Sequence, residues 1–271
     1  MTRRPSETSE LDRSEGRSVF GTDPQGYHAG RLGYPDEMYT ALFARSVPHP
    51  HILEIGAGTG LATEGLLRSA PQSYTIAEAD AQLAAYLNTK FADQGIKIFV
   101  GPFPDAPVTG RFDLITCAAA FHWLEPVAAL AQIRALLNPG GVWAMWWNSY
   151  LNPDCGDAVA DAIMPLLDGL PLPPSVRRDG HASLDAAHYT ALLAAHGFTA
   201  IEHSLFKRER ISTADEIRAL FASMSFVRVL PEAQRDALLA DIHRLVIARF
   251  DNAAPNTVFT ASYSAIPAAQ G

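Results

Sequence analysis

Two rhythms of apolar residues run through this chain. Short, nearly unbroken apolar runs stand at His51–Ile55, Tyr74–Glu78, Lys97–Gly101, Phe112–Ala118 and Val142–Trp147. Runs of this length, rich in β-branched and aromatic residues and closed by Gly or an acid, predict strands covered on both faces. Stretches with apolar residues three or four apart predict helices at Asp36–Ser46, Leu61–Ser69, Ala81–Phe91 and Pro126–Leu137. Pro35 and Asp36 suit the first of these starts, and Asp80 reads as the cap of the third. Strand and helix in alternation predict an α/β fold around a parallel sheet. Further helices are expected at Asp157–Leu167, Asp185–His196, Thr213–Ser223 and Pro231–Phe250, with strands at Thr199–Lys207 and Val258–Ser264. Residues 1–18 are polar and charged and read as a disordered tail. Residues 20–35 have no clear period and read as a structured loop or short helix; Gly169–Pro174 reads as a proline-rich surface loop.

The first strand runs straight into Gly56-Ala57-Gly58-Thr59-Gly60, and a helix opens at Leu61. Glycines there permit positive φ and let a ligand approach the backbone. The G-x-G-x-x-G fingerprint of dinucleotide sites requires glycine at 61, where this chain has Leu61. Glu54, two residues before the first glycine, would repel a pyrophosphate and favour a cationic amine. The pattern therefore suits an adenosine carrying an amino-acid tail. At the end of the second strand Glu78 can accept both hydrogen bonds of a ribose diol.

The stretch Glu54–Gly60 resembles the E/D-x-G-x-G-x-G motif of the class I S-adenosylmethionine-dependent methyltransferases and matches each fixed position. Phe112-Asp113-Leu114-Ile115, the F-H-W run Phe121–Trp123 and Leu137–Gly141 extend the resemblance. The lead-in Tyr27, Arg31, Tyr34, Pro35 is similar to the Y-x-x-x-R-x-x-Y-P of a subgroup that includes trans-aconitate methyltransferase-like and juvenile hormone acid methyltransferase-like enzymes. The resemblance implies a Rossmann-like doubly wound sheet of seven strands with the last antiparallel. It implies a single domain over residues 19–271, with lid elements at 19–35 and 212–252. It implies S-adenosyl-L-methionine as cofactor and methyl transfer to O, N or C of a small-molecule acceptor, such as a carboxylate or a natural-product intermediate.

The cofactor-binding residues this implies are Glu54, Gly56, Ala57, Gly58, Gly60, Glu78, Ala79, Phe103, Ala118 and Trp123. Tyr27, Arg31, Tyr34, His122, Trp147, Asn148 and Ser225 are expected on the substrate side. His122 is the candidate general base, or else it orders its loop by hydrogen bonding. Tyr34 either packs the lead-in on the sheet or faces the acceptor. Arg31 is expected to clamp a carboxylate. Of Trp146 and Trp147, alternation sends one to each face, one into the core and the other to the acceptor pocket. The adenine amino group is expected at Asp105 or a backbone carbonyl, since Pro102 stands where relatives carry an acid.

Composition narrows the partners. A net charge of −8 argues against a nucleic-acid surface. No apolar run reaches membrane-spanning length, and the first residues lack the apolar core of a signal peptide. Cys117 and Cys155 do not suggest a disulfide framework, which fits the cytoplasm. The histidines show no metal-ligand spacing. Three rivals stand beside methyl transfer: a nicotinamide dehydrogenase, disfavoured by Leu61 and Glu54, a regulatory protein that binds the cofactor without reaction, and a cyclase that uses the sulfonium only as a charge. Neither acceptor nor oligomeric state is written in the sequence.

Overall fold

The computed structural model describes residue 21 and residues 23–150, 157–170, 176–177 and 180–269. The expected tail at 1–18, Phe20, Cys155 and residues 171–174 of the proline-rich loop lie outside the described residues.

The lead-in forms a short helix, α1 (Pro24–Gly30), capped by Asp23, whose carboxylate accepts from the Gly26 N–H at 2.9 Å. Next come α2 (Asp36–Arg45), β1 (His51–Ile55), α3 (Leu61–Leu66), β2 (Ser73–Glu78), α4 (Ala81–Lys90) and β3 (Lys97–Val100). The expected helix to Ser69 ends in a single 3-10 turn, Leu67–Ser69. β4 (Phe112–Ala118), α5 (Pro126–Leu136) and β5 (Leu137–Ser149) complete the first part. α6 (Ala158–Ile163) and α7 (Ala186–Ala195) lead to β6 (Phe198–Ser212). The insertion α8 (Ala214–Ala222), α9 (Ser225–Arg228) and α10 (Glu232–Phe250) then precedes β7 (Ala254–Pro267).

The seven strands lie in the order β3-β2-β1-β4-β5-β7-β6. β1 to β5 pair in parallel, and β7 runs antiparallel between β5 and β6. Both late strands are longer than their apolar patterns predict. Ladder pairing runs from Phe198↔Pro267 to Ser212↔Ala254, through Lys207, Arg208 and Arg210. β6 is an edge strand with one face in water, so its charged residues continue the ladder where an apolar pattern stops. β5 likewise takes in the Asn138–Gly141 turn, with Leu137 already paired to Phe112 across a register shift.

Alternation along the strands builds a core on each face of the sheet. Leu53, Ile55, Ile115, Trp143, Trp147 and Tyr263 pack on one side; Ile52, Ile76, Leu114, Val142 and Trp146 pack on the other. A third cluster joins α6, α8 and α10 through Val159, Ile163, Ile217, Phe221, Ile242 and Val246. α8 begins with a reciprocal cap between Thr213 and Glu216. Ser223 and Met224 turn the chain between α8 and α9, and Ser225 is the first residue of α9. No helix among the described residues is long and apolar enough to cross a membrane.

Candidate active site

A cavity of about 590 Å3 opens at the carboxyl ends of β1, β2 and β4. Ligands bind there in open α/β sheets because the loops diverge beyond the strand ends. Its floor is the glycine turn. Gly56 has φ +68°, and a Cβ at that position would lie 2.7 Å from the Ala120 Cβ, so a side chain there meets the facing loop. That loop carries its own strain: Ala119 has φ +53° and donates its N–H to the Trp146 carbonyl at 2.7 Å. Gly58, φ +59°, faces open space, and its N–H donates to Glu78 Oε2 at 2.9 Å.

Glu78 ends β2, lines the cavity and is 5% exposed. Its other oxygen accepts from the Asp80 N–H at 3.0 Å. Burial pushes its carboxyl up, while the N–H groups of Asp80 and Gly58 pull it down. Each oxygen keeps a second lone pair, so the carboxylate stays able to accept from a diol. Asp80 caps α4 through the Gln82 and Leu83 N–H groups and also stands on the cavity wall. Pro102 and Phe103 close one side, Ala118 to Ala120, Trp123 and Leu124 another.

Tyr27 and Tyr34 from the lead-in line the cavity on a further side. Tyr34 packs edge-on against Trp146, ring centroids 5.8 Å apart. Arg31 lies behind them, its guanidinium 5.3 Å from the Tyr27 ring centroid and 5.8 Å from that of Tyr150. Its Nη2 donates to the Ser223 carbonyl at 3.1 Å, and its buried Nε has no hydrogen-bond partner among the described residues. Asn148 anchors the same segment. Its amide N–H groups donate to the carbonyls of Leu32 at 2.9 Å and Gly33 at 3.3 Å, and its oxygen accepts from Thr260 at 2.6 Å and Arg208 at 3.2 Å. A further clasp joins α1 to the glycine turn. His28 Nδ1 is 3.2 Å from the Thr59 hydroxyl, while Lys90 Nζ donates to the Thr59 carbonyl at 2.9 Å and pairs with Glu64 at 2.7 Å.

A family model described as a methyltransferase domain matches residues 52–141, the span from β1 through the start of β5 that builds this floor and wall. The chain carries a class I S-adenosylmethionine-dependent methyltransferase domain. The chain is 26% identical over 233 residues to an uncharacterised methyltransferase-like protein of Schizosaccharomyces pombe, covering 84% of this chain and 85% of that one. A malonyl-[acyl-carrier protein] O-methyltransferase of Halalkalibacterium halodurans is 32% identical over 101 residues, 34% of this chain and 36% of that protein. The fold matches that of a solved S-adenosylmethionine-dependent methyltransferase from Thiobacillus denitrificans in complex with S-adenosyl-L-homocysteine, with a TM-score of 0.54, 14% identity and 95% and 99% of the two chains covered. Its cofactor is S-adenosyl-L-methionine. The wall suits that group: a buried carboxylate for a diol, an open backbone at Gly58 and an apolar side at Phe103.

The cavity brings together Gly56, Ala57, Gly58, Glu78, Ala79, Phe103, Ala118, Trp123, Tyr27 and Tyr34 among the residues singled out from sequence. It leaves others off its wall. Glu54, expected to meet a cationic amine, is fully buried behind the wall. Strand alternation turns it away from Ile55, and its Oε2 accepts from Thr63 at 2.6 Å and Tyr74 at 2.5 Å. Gly60, φ +81°, has its backbone against the Phe91 ring and starts α3. Trp147 is 1% exposed and, like Trp146, belongs to the core. The expected contact of Asn148 with acceptor is replaced by its clasp on the lead-in, because both ends of its amide are engaged. Ser225 is buried in α9, and Arg31 stands behind the wall with its guanidinium over the Tyr27 ring. Asp105, proposed for the adenine, is exposed and off the wall. His122 stands beside wall residue Trp123, ring centroids 4.6 Å apart, and its Nδ1 accepts from the Trp147 indole N–H at 3.1 Å. The clasp of His28, Thr59, Lys90 and Glu64 had no local signal, since its members come from the lead-in, the glycine turn and two helices.

Proposed function

We propose that the protein transfers a methyl group from S-adenosyl-L-methionine to a small-molecule acceptor that carries an anionic group, with a carboxylate oxygen as the atom methylated. The observation that carries this reading is the roof of the cavity. Two tyrosines, Tyr27 and Tyr34, face the space, and the half-buried guanidinium of Arg31 lies on the Tyr27 ring with its Nε unpaired among the described residues. Such a roof favours a compact, negatively charged acceptor over a polymer. The O-methyltransferase relative, though matched over only a third of the chain, supports transfer to oxygen.

The cofactor supplies an electrophilic methyl on a sulfonium. Glu78 and the glycine turn hold and orient the nucleoside. Tyr27, Tyr34 and Trp123 narrow the space beside it and exclude water, so that the acceptor oxygen meets the methyl in line. Arg31, Asn148 and the clasp at His28 hold the roof in place, with His122 on the acceptor side. The buried free thiol of Cys117 supports a cytoplasmic setting.

The test is S-adenosylhomocysteine formation across a panel of small carboxylic acids, amines and phenols, with each product identified by mass spectrometry. Turnover with acids, giving methyl esters, is the expected result. Cofactor binding with no turnover on any acceptor would favour a regulatory or non-methylating role.

A further inference from the structure

We propose that Trp147 is a positioning residue that fixes His122 in the neutral Nε2–H tautomer, so that His122 takes no proton from the acceptor. This rests on the reading above only in placing His122 beside the acceptor; the tautomer itself does not depend on it.

The indole N–H can only donate. Trp147 Nε1 lies 3.1 Å from His122 Nδ1 and donates to it, so that nitrogen must present its lone pair. A neutral imidazole then carries its one proton on Nε2. Protonating Nδ1 would set two N–H groups against each other. The base lone pair of His122 is thus occupied, and its remaining nitrogen already bears a proton.

The indole cannot turn aside to free it. Trp147 is caged edge-on by Phe121 and Tyr263, centroids 6.5 and 6.4 Å away, and lies against Tyr189 at 5.2 Å. Tyr263 is pinned in turn by its hydroxyl, which donates to the Ser183 carbonyl at 2.6 Å. The contrast within β5 shows that this bond is specific. Trp143 and Trp146 are also fully buried, and their indole N–H groups have no hydrogen-bond partner among the described residues. Trp147 is the tryptophan of this strand whose N–H is directed at the loop beside the cavity.

The consequence reaches the reaction. With His122 unable to take a proton, the reacting atom of the acceptor must arrive with its lone pair free. A carboxylate meets that condition. One of its oxygens forms the new bond to the methyl carbon as the carbon–sulfur bond breaks, giving an ester and a thioether with no proton released.

The experiment is two-bond 1H–15N correlation spectroscopy on the 15N-labelled full-length protein with S-adenosylhomocysteine bound at neutral pH, the His122 signals being assigned by their loss in His122→Gln. The Nε2–H pattern is expected. In Trp147→Phe, which keeps an aromatic ring in the cage and removes the N–H, the pattern should move toward a mixture of tautomers. An Nδ1–H or doubly protonated His122 in the wild-type protein overturns the proposal, and so does an unchanged tautomer in Trp147→Phe. Should that variant not fold, the wild-type coupling across the Trp147–His122 hydrogen bond decides: present, it supports the proposal; absent, it removes it. No acceptor enters this measurement, so failure of the tautomer and failure of the acceptor panel are told apart.

Discussion

Arg31 and Ser223 lie 192 residues apart in sequence, and the Arg31 guanidinium donates to the Ser223 carbonyl at 3.1 Å. This bond ties the lead-in to the end of α8. Gly30 fits the same junction so closely that a Cβ there would stand 2.4 Å from the Ala219 carbonyl oxygen. Lead-in and insertion are therefore one packed unit beside the cavity, and a change in one is felt by the other.

Asn148 is the second anchor of that unit. Asn148→Ala takes this partner from the Thr260 hydroxyl and the Leu32 carbonyl, while the Gly33 carbonyl keeps the Arg208 guanidinium at 2.9 Å. The cost expected from unpaired buried polar groups is about 1–3 kcal/mol. Hydrogen exchange should then quicken over residues 24–34 and over α8 together. Faster exchange confined to the strand around residue 148 would show that the lead-in is held by other means.

Glu78 is expected to dominate nucleoside binding. Glu78→Ala removes the acceptor and also releases the Gly58 N–H it holds. Affinity for S-adenosylmethionine should fall by roughly ten- to hundredfold, about 1.5–3 kcal/mol. Calorimetry that finds an unchanged Kd would remove the assignment.

Glu54 makes stability depend on pH. Burial, with a smaller push from Glu78, raises its carboxyl from 4.5 to about 7, against the pull of Thr63 and Tyr74. The folded state therefore binds a proton that the unfolded chain releases. The associated stability is fully present below pH 4.5 and is lost as pH rises through about 7. The loss is on the order of 3 kcal/mol. Denaturant titrations across this window should show the decline in the wild type and a flatter profile in Glu54→Gln; parallel profiles would clear Glu54 of the effect.

His28 gives the roof a pH dependence of opposite sign. Burial first, then the Lys90 ammonium, lower its pKa below 6.5, and Glu64 opposes them. The clasp on Thr59 is thus fully favoured above pH 6.5 and weakens as pH falls below it. Cofactor Kd, measured by calorimetry from mildly acidic to mildly alkaline pH, should rise on the acid side, and less so in His28→Gln. A wild-type Kd that is flat across this range would be evidence falsifying the clasp.

The path of the chain was legible in the sequence because its signals are local. A buried run followed by Gly56, Gly58 and Gly60, an acid at the end of β2, and apolar residues at helical spacing each constrain only their own neighbourhood. Those constraints suffice to mark the parallel strands along the chain; that Glu78, Tyr27, Tyr34, Phe103 and Trp123 share one space was expected from the resemblance to the methyltransferase motifs. The length of β6 was less legible, since an edge strand continues through charged residues on backbone hydrogen bonds, and β7 extends with it as its ladder partner.

What each polar side chain does was decided by tertiary structure. Glu54 belongs to the signature of the turn, yet one step of strand alternation sends it to the opposite face from Ile55, toward Thr63 and Tyr74. Trp146 and Trp147 do point to opposite faces, but both faces are covered, so neither reaches the cavity directly. Asn148 stands near the end of its strand, where acceptor contact was expected, and residues from the lead-in, β6 and β7 take up both ends of its amide. Sequence determines which way a side chain leaves the backbone; what it meets is set by segments that arrive from far along the chain, such as Thr260 and Arg208 at Asn148, or Ser223 at Arg31.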